Sequence, residues 1–359
     1  MPKLDIRKEM PGVELTREQF SQRMQQQFSD PAFDGIRGDV DRIIEAAWQG
    51  YSNYRKAPHT QPAGPGYADP GYQLSVEWTE ASRRVKEAER RQKDPASPSR
   101  ILLINGAARS EHSCPGETSK TWRLVTLAHE VLVREKGLEI ELLDLSRLIS
   151  EYGRRIFPCK TCVSTAMPLC HWPCSCYPNH ALAQVQDWMN DIYPMWAAAH
   201  GIMIVSPVNW YDPSSVLKLM IDRLVCADGG NPDPTSTQGK KPALAKKLEL
   251  DGWHYPCHLA GRVFSVVVHG DATGVRAVRT GLASWLNDMG LIEAGHASQL
   301  GAYIGYMEPY ATSHDALDRD KAVQEQARNA ARSLVQAVNQ LRRGEIKKPD
   351  ENLRDPRPK

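Results

Sequence analysis

Ile101–Thr121 reads ILLINGAARSEHSCPGETSKT, and its interpretation sets the fold class of the chain. Ile101–Ile104 is a short apolar run of the kind that forms a parallel strand buried on both faces. It passes directly into Asn105-Gly106, which permits a sharp turn. Arg109, Ser110, Ser113, Thr118, Ser119 and Lys120 then crowd the loop with hydroxyl donors and cations. Trp122, Val125, His129 and Leu132 follow at helical spacing on one face. A strand, a polar loop and a helix N-terminus together present free N–H groups and the positive end of the helix dipole to an anion. The stretch has no G-x-x-x-x-G-K-[ST] and no G-x-G-x-x-G, so neither an ATP-type P-loop nor the dinucleotide fingerprint is present. A hydroxyl-rich loop of this kind suits a phosphate monoester.

The composition is that of a globular protein, with 41% hydrophobic and 25% charged residues in 359. With 45 basic and 43 acidic residues the net charge is +2, which argues for neither a nucleic-acid nor a membrane partner. The apolar runs fall short of a membrane span, and MPKLDIRKEM lacks the apolar core of a signal peptide. A cytoplasmic location is therefore expected. Eight cysteines in such a chain do not imply a disulfide framework.

Residues 1–99 read as a helical, Pro/Gly-rich extension. Thr16–Phe28 is a helix with Thr16 as N-cap and Gln19 as its capping-box partner. Val40–Arg55 and Val76–Arg91 are further helices, and Ala57–Tyr72 between them is an extended Pro/Gly loop. Residues 100–343 alternate strand and helix. The strands are Ile101–Ile104, Leu138–Leu143, Gly201–Ser206, Val263–Val268 and part of Leu291–Leu300. The helices are Thr118–Lys136, one starting at Asn179 or His180, Ser214–Val225, Val275–Asp288 and Asp318–Arg343. Cys226–Cys257 reads as a long loop. Residues 344–359 are a charged tail expected to be disordered. The alternation predicts an α/β flavodoxin-like, doubly wound, five-stranded parallel sheet of order 2-1-3-4-5, with its ligand beyond the carboxyl ends of the strands.

Two further loops fall on that edge. Pro207-Val208-Asn209-Trp210-Tyr211 supplies an aromatic wall for a planar ring. His269-Gly270-Asp271-Ala272-Thr273-Gly274 supplies a glycine-rich edge. One loop for a phosphate, one aromatic and one glycine-rich fit a phosphorylated planar cofactor.

Gly106-Ala107-Ala108-Arg109, Glu117-Thr118-Ser119-Lys120 and the run Ser206-Pro207-Val208-Asn209-Trp210 with Leu217–Arg223 resemble the NAD(P)H-dependent FMN reductase family of the flavodoxin-like superfamily. The resemblance covers residues 101–300. It implies FMN as cofactor and NADPH or NADH as co-substrate. It makes Arg109, Ser110, Ser113, Thr118 and Ser119 the phosphate candidates. It places Pro207, Val208, Asn209, Trp210 and Tyr211 along the flavin, and Gly270, Asp271 and Gly274 at its far edge. Ala107 and Asn209 stand where the family often has Ser and Tyr, and Cys114-Pro115-Gly116 lengthens the first loop. No catalytic side chain is assigned, because the flavin carries the chemistry. The implied partners are a small-molecule electron acceptor and further copies of the chain, as a homodimer or homotetramer.

Cys159, Cys162, Cys170, Cys174 and Cys176 follow the second strand, where the related iron–sulfur flavoproteins carry their cluster. The spacing C-x2-C-x7-C-x3-C-x-C leaves an iron–sulfur cluster, zinc and free thiols all open. The leading reading is an oxidoreductase passing electrons from a nicotinamide through FMN to a flavin, quinone or other small electrophile. The alternatives are an iron–sulfur flavoprotein serving a protein partner and a non-catalytic flavin-binding module.

Overall fold

The computed structural model describes residues 12–110, 112, 113 and 116–346. Cys114 and Pro115 of the lengthened loop, and the expected tail from residue 347 on, lie outside the described residues. The chain runs through α1 (Arg17–Gln26), α2 (Arg37–Ser52), β1 (Thr60–Pro62), β2 (Gln73–Ser75), α3 (Val76–Lys93), β3 (Ser99–Asn105), α4 (Lys120–Leu132) and β4 (Leu138–Asp144). It continues with α5 (Arg147–Ser150), α6 (Met189–Ala198), β5 (Gly201–Asn209), β6 (Asp212–Pro213), α7 (Ser215–Arg223), α8 (Cys226–Gly229) and α9 (Pro242–Leu250). It ends with β7 (Val263–Gly270), α10 (Val275–Asp288), β8 (Ile292–Glu293), β9 (Gln299–Tyr303), α11 (Tyr310–Arg319) and α12 (Lys321–Arg342).

Two compact units result. One gathers Met1–Glu80, Lys160–Asp187 and Asn231–Trp253, and the other Ala81–Cys159, Trp188–Gly230 and His254–Lys359.

The second unit is the α/β sheet, in the order β4-β3-β5-β7 with β8 and β9 both pairing with β7. All these ladders are parallel, with Ile101 opposite Gly201 and Gly201 opposite Val263. This is the expected 2-1-3-4-5 order, the fifth strand being delivered as two short pieces. The central strands read as unbroken apolar runs because both faces are covered. Ile101, Leu103, Met203 and Val267 pack with Leu124, Ala128, Ala327, Leu334 and Val338. Gly201 lets α12 come close: a Cβ there would lie 2.6 Å from Val338 Cγ2.

Helix starts follow their caps. Ser119 accepts from Trp122 N at 3.0 Å to open α4, and Ser214 accepts from Leu217 N at 3.3 Å to open α7. Asp320 accepts from Val323 N at 2.9 Å and opens α12, so the helix expected over Asp318–Arg343 is present as Lys321–Arg342, with the separate α11 preceding it.

In the first unit, Thr16 and Gln19 form the expected capping box of α1. The ends of the Pro/Gly loop pair as the antiparallel hairpin β1–β2. The helix expected from Asn179 or His180 is a single tight turn, His180–Leu182, closed by Ala183 in the left-handed region (φ +53°). The regular helix begins only at Met189. The expected loop Cys226–Cys257 contains α8 and α9, and α9 starts at Pro242 in its first turn.

Candidate functional site

The chain reverses its winding direction between β3 and β5, and in open α/β sheets ligands sit beyond the strand ends at that point. The loops after β3, β5 and β7 all leave from this edge.

Below the first loop lies a cavity of about 190 Å³, lined by Asn105, Arg109, Ser110, Thr118, Ser119, Trp122, Asp144 and Ser146. Four of the five phosphate candidates thus come together. The fifth, Ser113, instead closes the loop turn: its Oγ accepts from Ser110 N at 2.7 Å and donates to Ser110 O at 3.0 Å. Asp144 is engaged by Asn105 Nδ2 at 2.7 Å and Ser146 N at 3.1 Å, which directs its charge into the strand ends. Arg109 Nη1 donates to His314 Nε2 at 2.9 Å, and Nη2 donates to Glu117 O at 3.2 Å. Because arginine has no acceptor, this contact fixes His314 with its proton on Nδ1. That nitrogen lies 2.8 Å from the Glu117 carboxylate without the alignment of a hydrogen bond. Partial burial, with Arg109, Lys120 and Arg123 nearby, holds the His314 pKa below the usual value against the opposing pull of Glu117.

Two buried polar atoms here have no partner: Arg109 Nε and Ser110 Oγ. Buried donors without partners are rare in proteins and call for a ligand or water. Together with the unbonded first-turn amides of α4, they fit a phosphate dianion.

The second loop is a hairpin. β6 folds back on β5 with Val208 opposite Pro213 and Asn209 opposite Asp212. The two tip residues, Trp210 and Tyr211, have φ +49° and +70° and are 94% and 65% exposed. A two-residue hairpin turn of this hand favours Asn-Gly, and large aromatics there are strained. Trp210 is thus presented to solvent, not packed in the core.

The third loop is held against the second. Gly274 (φ +87°) has Val208 Cγ1 and Tyr211 Cα at 2.9 and 3.1 Å from where a Cβ would be. These glycines therefore serve loop-to-loop packing. Asp271 pairs with the buried Lys120, whose ammonium also donates to Ile304 O at 2.9 Å and lies 3.3 Å from Ser313 Oγ. His269, at the end of β7, is fully enclosed, with Nε2 2.8 Å from Thr121 Oγ1 and Nδ1 unpartnered. Burial and the Lys120 charge lower its pKa to about 4, so it is neutral near pH 7.

Sequence reasoning did not anticipate His314, Asp144 or Ser146 at this site. Asp144 has a local signal, as a carboxylate at a strand end. His314 has none, since it lies 205 residues from Arg109. Lys218 and Asp222 pair with each other on the surface of α7, and buried Arg223 donates to Phe157 O at 2.8 Å.

Residues 99–297 match the sequence profile of NADPH-dependent FMN reductase. The chain belongs to that family. Its members are flavoprotein oxidoreductases. Similar solved structures include RosB with the bound intermediate 8-demethyl-8-formylriboflavin-5'-phosphate, at 14% identity and TM-score 0.46, covering 69% of this chain and 82% of that one. An oxidoreductase from Corynebacterium diphtheriae matches at 13% identity and TM-score 0.36, covering 67% and 98%. An NADH:FMN oxidoreductase in its apo form matches at 15% and 0.35, covering 70% and 92%. No curated protein matches the chain.

Of the cysteines, Cys159 falls in the α/β unit and Cys162, Cys170, Cys174 and Cys176 in the other. The neighbouring Cys170 thiol, together with burial, raises the Cys162 pKa against the opposing influence of Cys176. Among the described residues no group of three or more His, Cys, Asp or Glu side chains is arranged to hold a metal ion, so the zinc or cluster expectation gains no support. Among those residues no helix is long and apolar enough to cross a membrane.

Proposed function

We propose that this FMN reductase family member binds one FMN per chain at the sheet edge, oxidises NADPH or NADH, and passes the electrons to a flavin, quinone or other small electrophile. The single observation that most supports this reading is the pair of buried, unpartnered atoms Arg109 Nε and Ser110 Oγ in the cavity before α4.

FMN, when bound, supplies the hydride and electron chemistry, so the protein's task is placement. Arg109, Ser110, Thr118 and Ser119 hold the phosphate, with the first-turn amides of α4 behind them. Ser119 caps the helix through a lone pair and keeps its O–H as a donor. Pro207, Val208 and Asn209 carry the Trp210–Tyr211 tip, whose exposed rings offer stacking surface to a flat partner. Gly270, Asp271 and Gly274 fix the facing loop, with Asp271 anchored on Lys120.

Cofactor released by heat and identified by chromatography tests the first half; recovery of FAD or of no flavin overturns it. Steady-state oxidation of NADPH and NADH with an added flavin or quinone tests the second. One shared face for nicotinamide and acceptor predicts ping-pong kinetics with parallel double-reciprocal lines. Failure of both nicotinamides to bleach the bound flavin would reject the oxidoreductase and leave a flavin-binding module. Size-exclusion chromatography tests the homodimer or homotetramer that belongs to the same reading.

A further inference from the structure

The other unit holds a cavity of its own, of about 160 Å³. Trp78, Tyr72 and Tyr177 wall it, with Leu74 and Pro234 adding apolar surface. Trp78 is fixed, since its Nε1–H donates to Pro173 O at 2.9 Å and Tyr67 sits edge-on at 6.5 Å. Gly239 (φ +76°) admits the Tyr72 hydroxyl, which would lie 2.6 Å from a Cβ at that position.

Two lysines reach the same cavity. Lys56 Nζ donates to Ser175 O at 2.7 Å. Lys240 Nζ donates to Leu169 O and lies 3.6 Å from Cys162 Sγ. Neither ammonium meets a carboxylate among the described residues: their other titratable neighbours are the cysteines Cys162, Cys170, Cys174 and Cys176, Lys160 and each other. His171 behind them is fully buried, 3.1 Å from Thr237 Oγ1, and neutral because burial and both lysines oppose its protonation. Two ammonium groups at one cavity with no carboxylate partner repel each other, and a bound anion would relieve them.

Size and lining narrow the anion. An apolar cavity of about 150 Å³ accepts a benzene ring, so this one has room for a single six-membered ring. Aromatic walls favour a flat apolar body, and two three-donor ammonium groups favour a carboxylate over a neutral polar group.

We propose that this cavity binds a single-ring aromatic carboxylate, with the ring among Trp78, Tyr72 and Tyr177 and the carboxylate between Lys56 and Lys240. The site is separate from the flavin reading and does not depend on it.

Calorimetric titration of the purified full chain with benzoate tests the proposal, with benzamide as the neutral isostere and inorganic phosphate as the ringless anion. Benzoate is expected to bind while benzamide and phosphate bind at least tenfold more weakly. Loss of one ammonium should weaken benzoate on the order of tenfold in Lys240→Met and in Lys56→Met, with the circular dichroism spectrum and thermal midpoint of each variant as the check on folding. Absence of benzoate binding overturns the proposal. So does equal binding of benzamide, equal binding of phosphate, or benzoate affinity unmoved in both variants. The wild-type comparison of the three probes decides the matter even if a variant fails to fold.

Discussion

Arg109→Ala should separate phosphate recognition from flavin recognition. Arg109 spends Nη1 on His314 Nε2 (2.9 Å) and Nη2 on Glu117 O (3.2 Å), which leaves Nε buried without a partner. A hydrogen bond to a charged group contributes about 1.5–3 kcal/mol, which is roughly 10- to 150-fold in Kd. The side chain is 30% exposed, so solvent screening favours the lower end. FMN affinity, followed by quenching of flavin fluorescence on apo-protein, should therefore fall about tenfold or somewhat more. Riboflavin lacks the phosphate and should bind wild type and variant alike. Arg109→Lys should recover only part of the loss, because a point charge does not reproduce the Nε edge of the guanidinium. Rising salt should narrow the FMN difference and leave riboflavin unmoved. Equal losses for both flavins would mean that Arg109 supports the loop rather than the phosphate. No loss for FMN would remove Arg109 from the site.

Other consequences concern the neighbours of that loop. His269 has a folded pKa of about 4 against the ordinary imidazole value of 6.5; below pH 6.5 the unfolded state binds the extra proton, so stability falls as pH drops towards 4, by about 3 kcal/mol in all. Urea midpoints between pH 7 and pH 5 should show that slope, and an unchanged slope in His269→Gln would assign it elsewhere. Lys120→Met strips Asp271, Ile304 O and Ser313 of a shared buried ammonium, and should cost about 3 kcal/mol; a loss under about 1 kcal/mol, as for an exposed pair, would mean that Asp271 is solvated instead. Gly274→Ala places a Cβ in left-handed backbone against Val208 and Tyr211, and a loss of about 1–2 kcal/mol should appear in thermal melts together with weaker FMN binding. Replacing Trp210-Tyr211 with Asn-Gly should raise stability by about 1 kcal/mol or more while lowering kcat/KM for the acceptor; retained kcat/KM would show that the tip serves no substrate.

What the sequence disclosed tracks the range of the interactions involved. Ile101–Ile104, Gly201–Ser206 and Val263–Val268 declare themselves because strands covered on both faces must be apolar throughout. The strand, hydroxyl-rich loop and helix N-cap of the candidate phosphate site are equally plain, since they lie within one short segment. The stripe Leu182, Val185, Trp188 imitates a helix, yet Ala183 and Gln186 take positive φ and leave Leu182 exposed. Pro242 carried a helix-start signal that the surrounding Pro, Gly and Lys obscured. Asp320 is a cap inside an apparently unbroken helical pattern, visible only as the aspartate preceding Lys321. His314 and the partners of Lys120 are tertiary, and no spacing rule reaches them.

The match to the family ends at residue 297, yet the phosphate loop leans on what comes after. Ile304 and Ser313 hold Lys120, His314 holds Arg109, and Arg123 grips Asp318. The matched family segment and the candidate site with its supports are thus different lengths of chain. A protein trimmed to the recognisable family segment would keep every residue expected to touch the phosphate and lose the scaffolding that aims them. Relatives that diverge beyond this point could retune cofactor retention without changing a single cofactor contact.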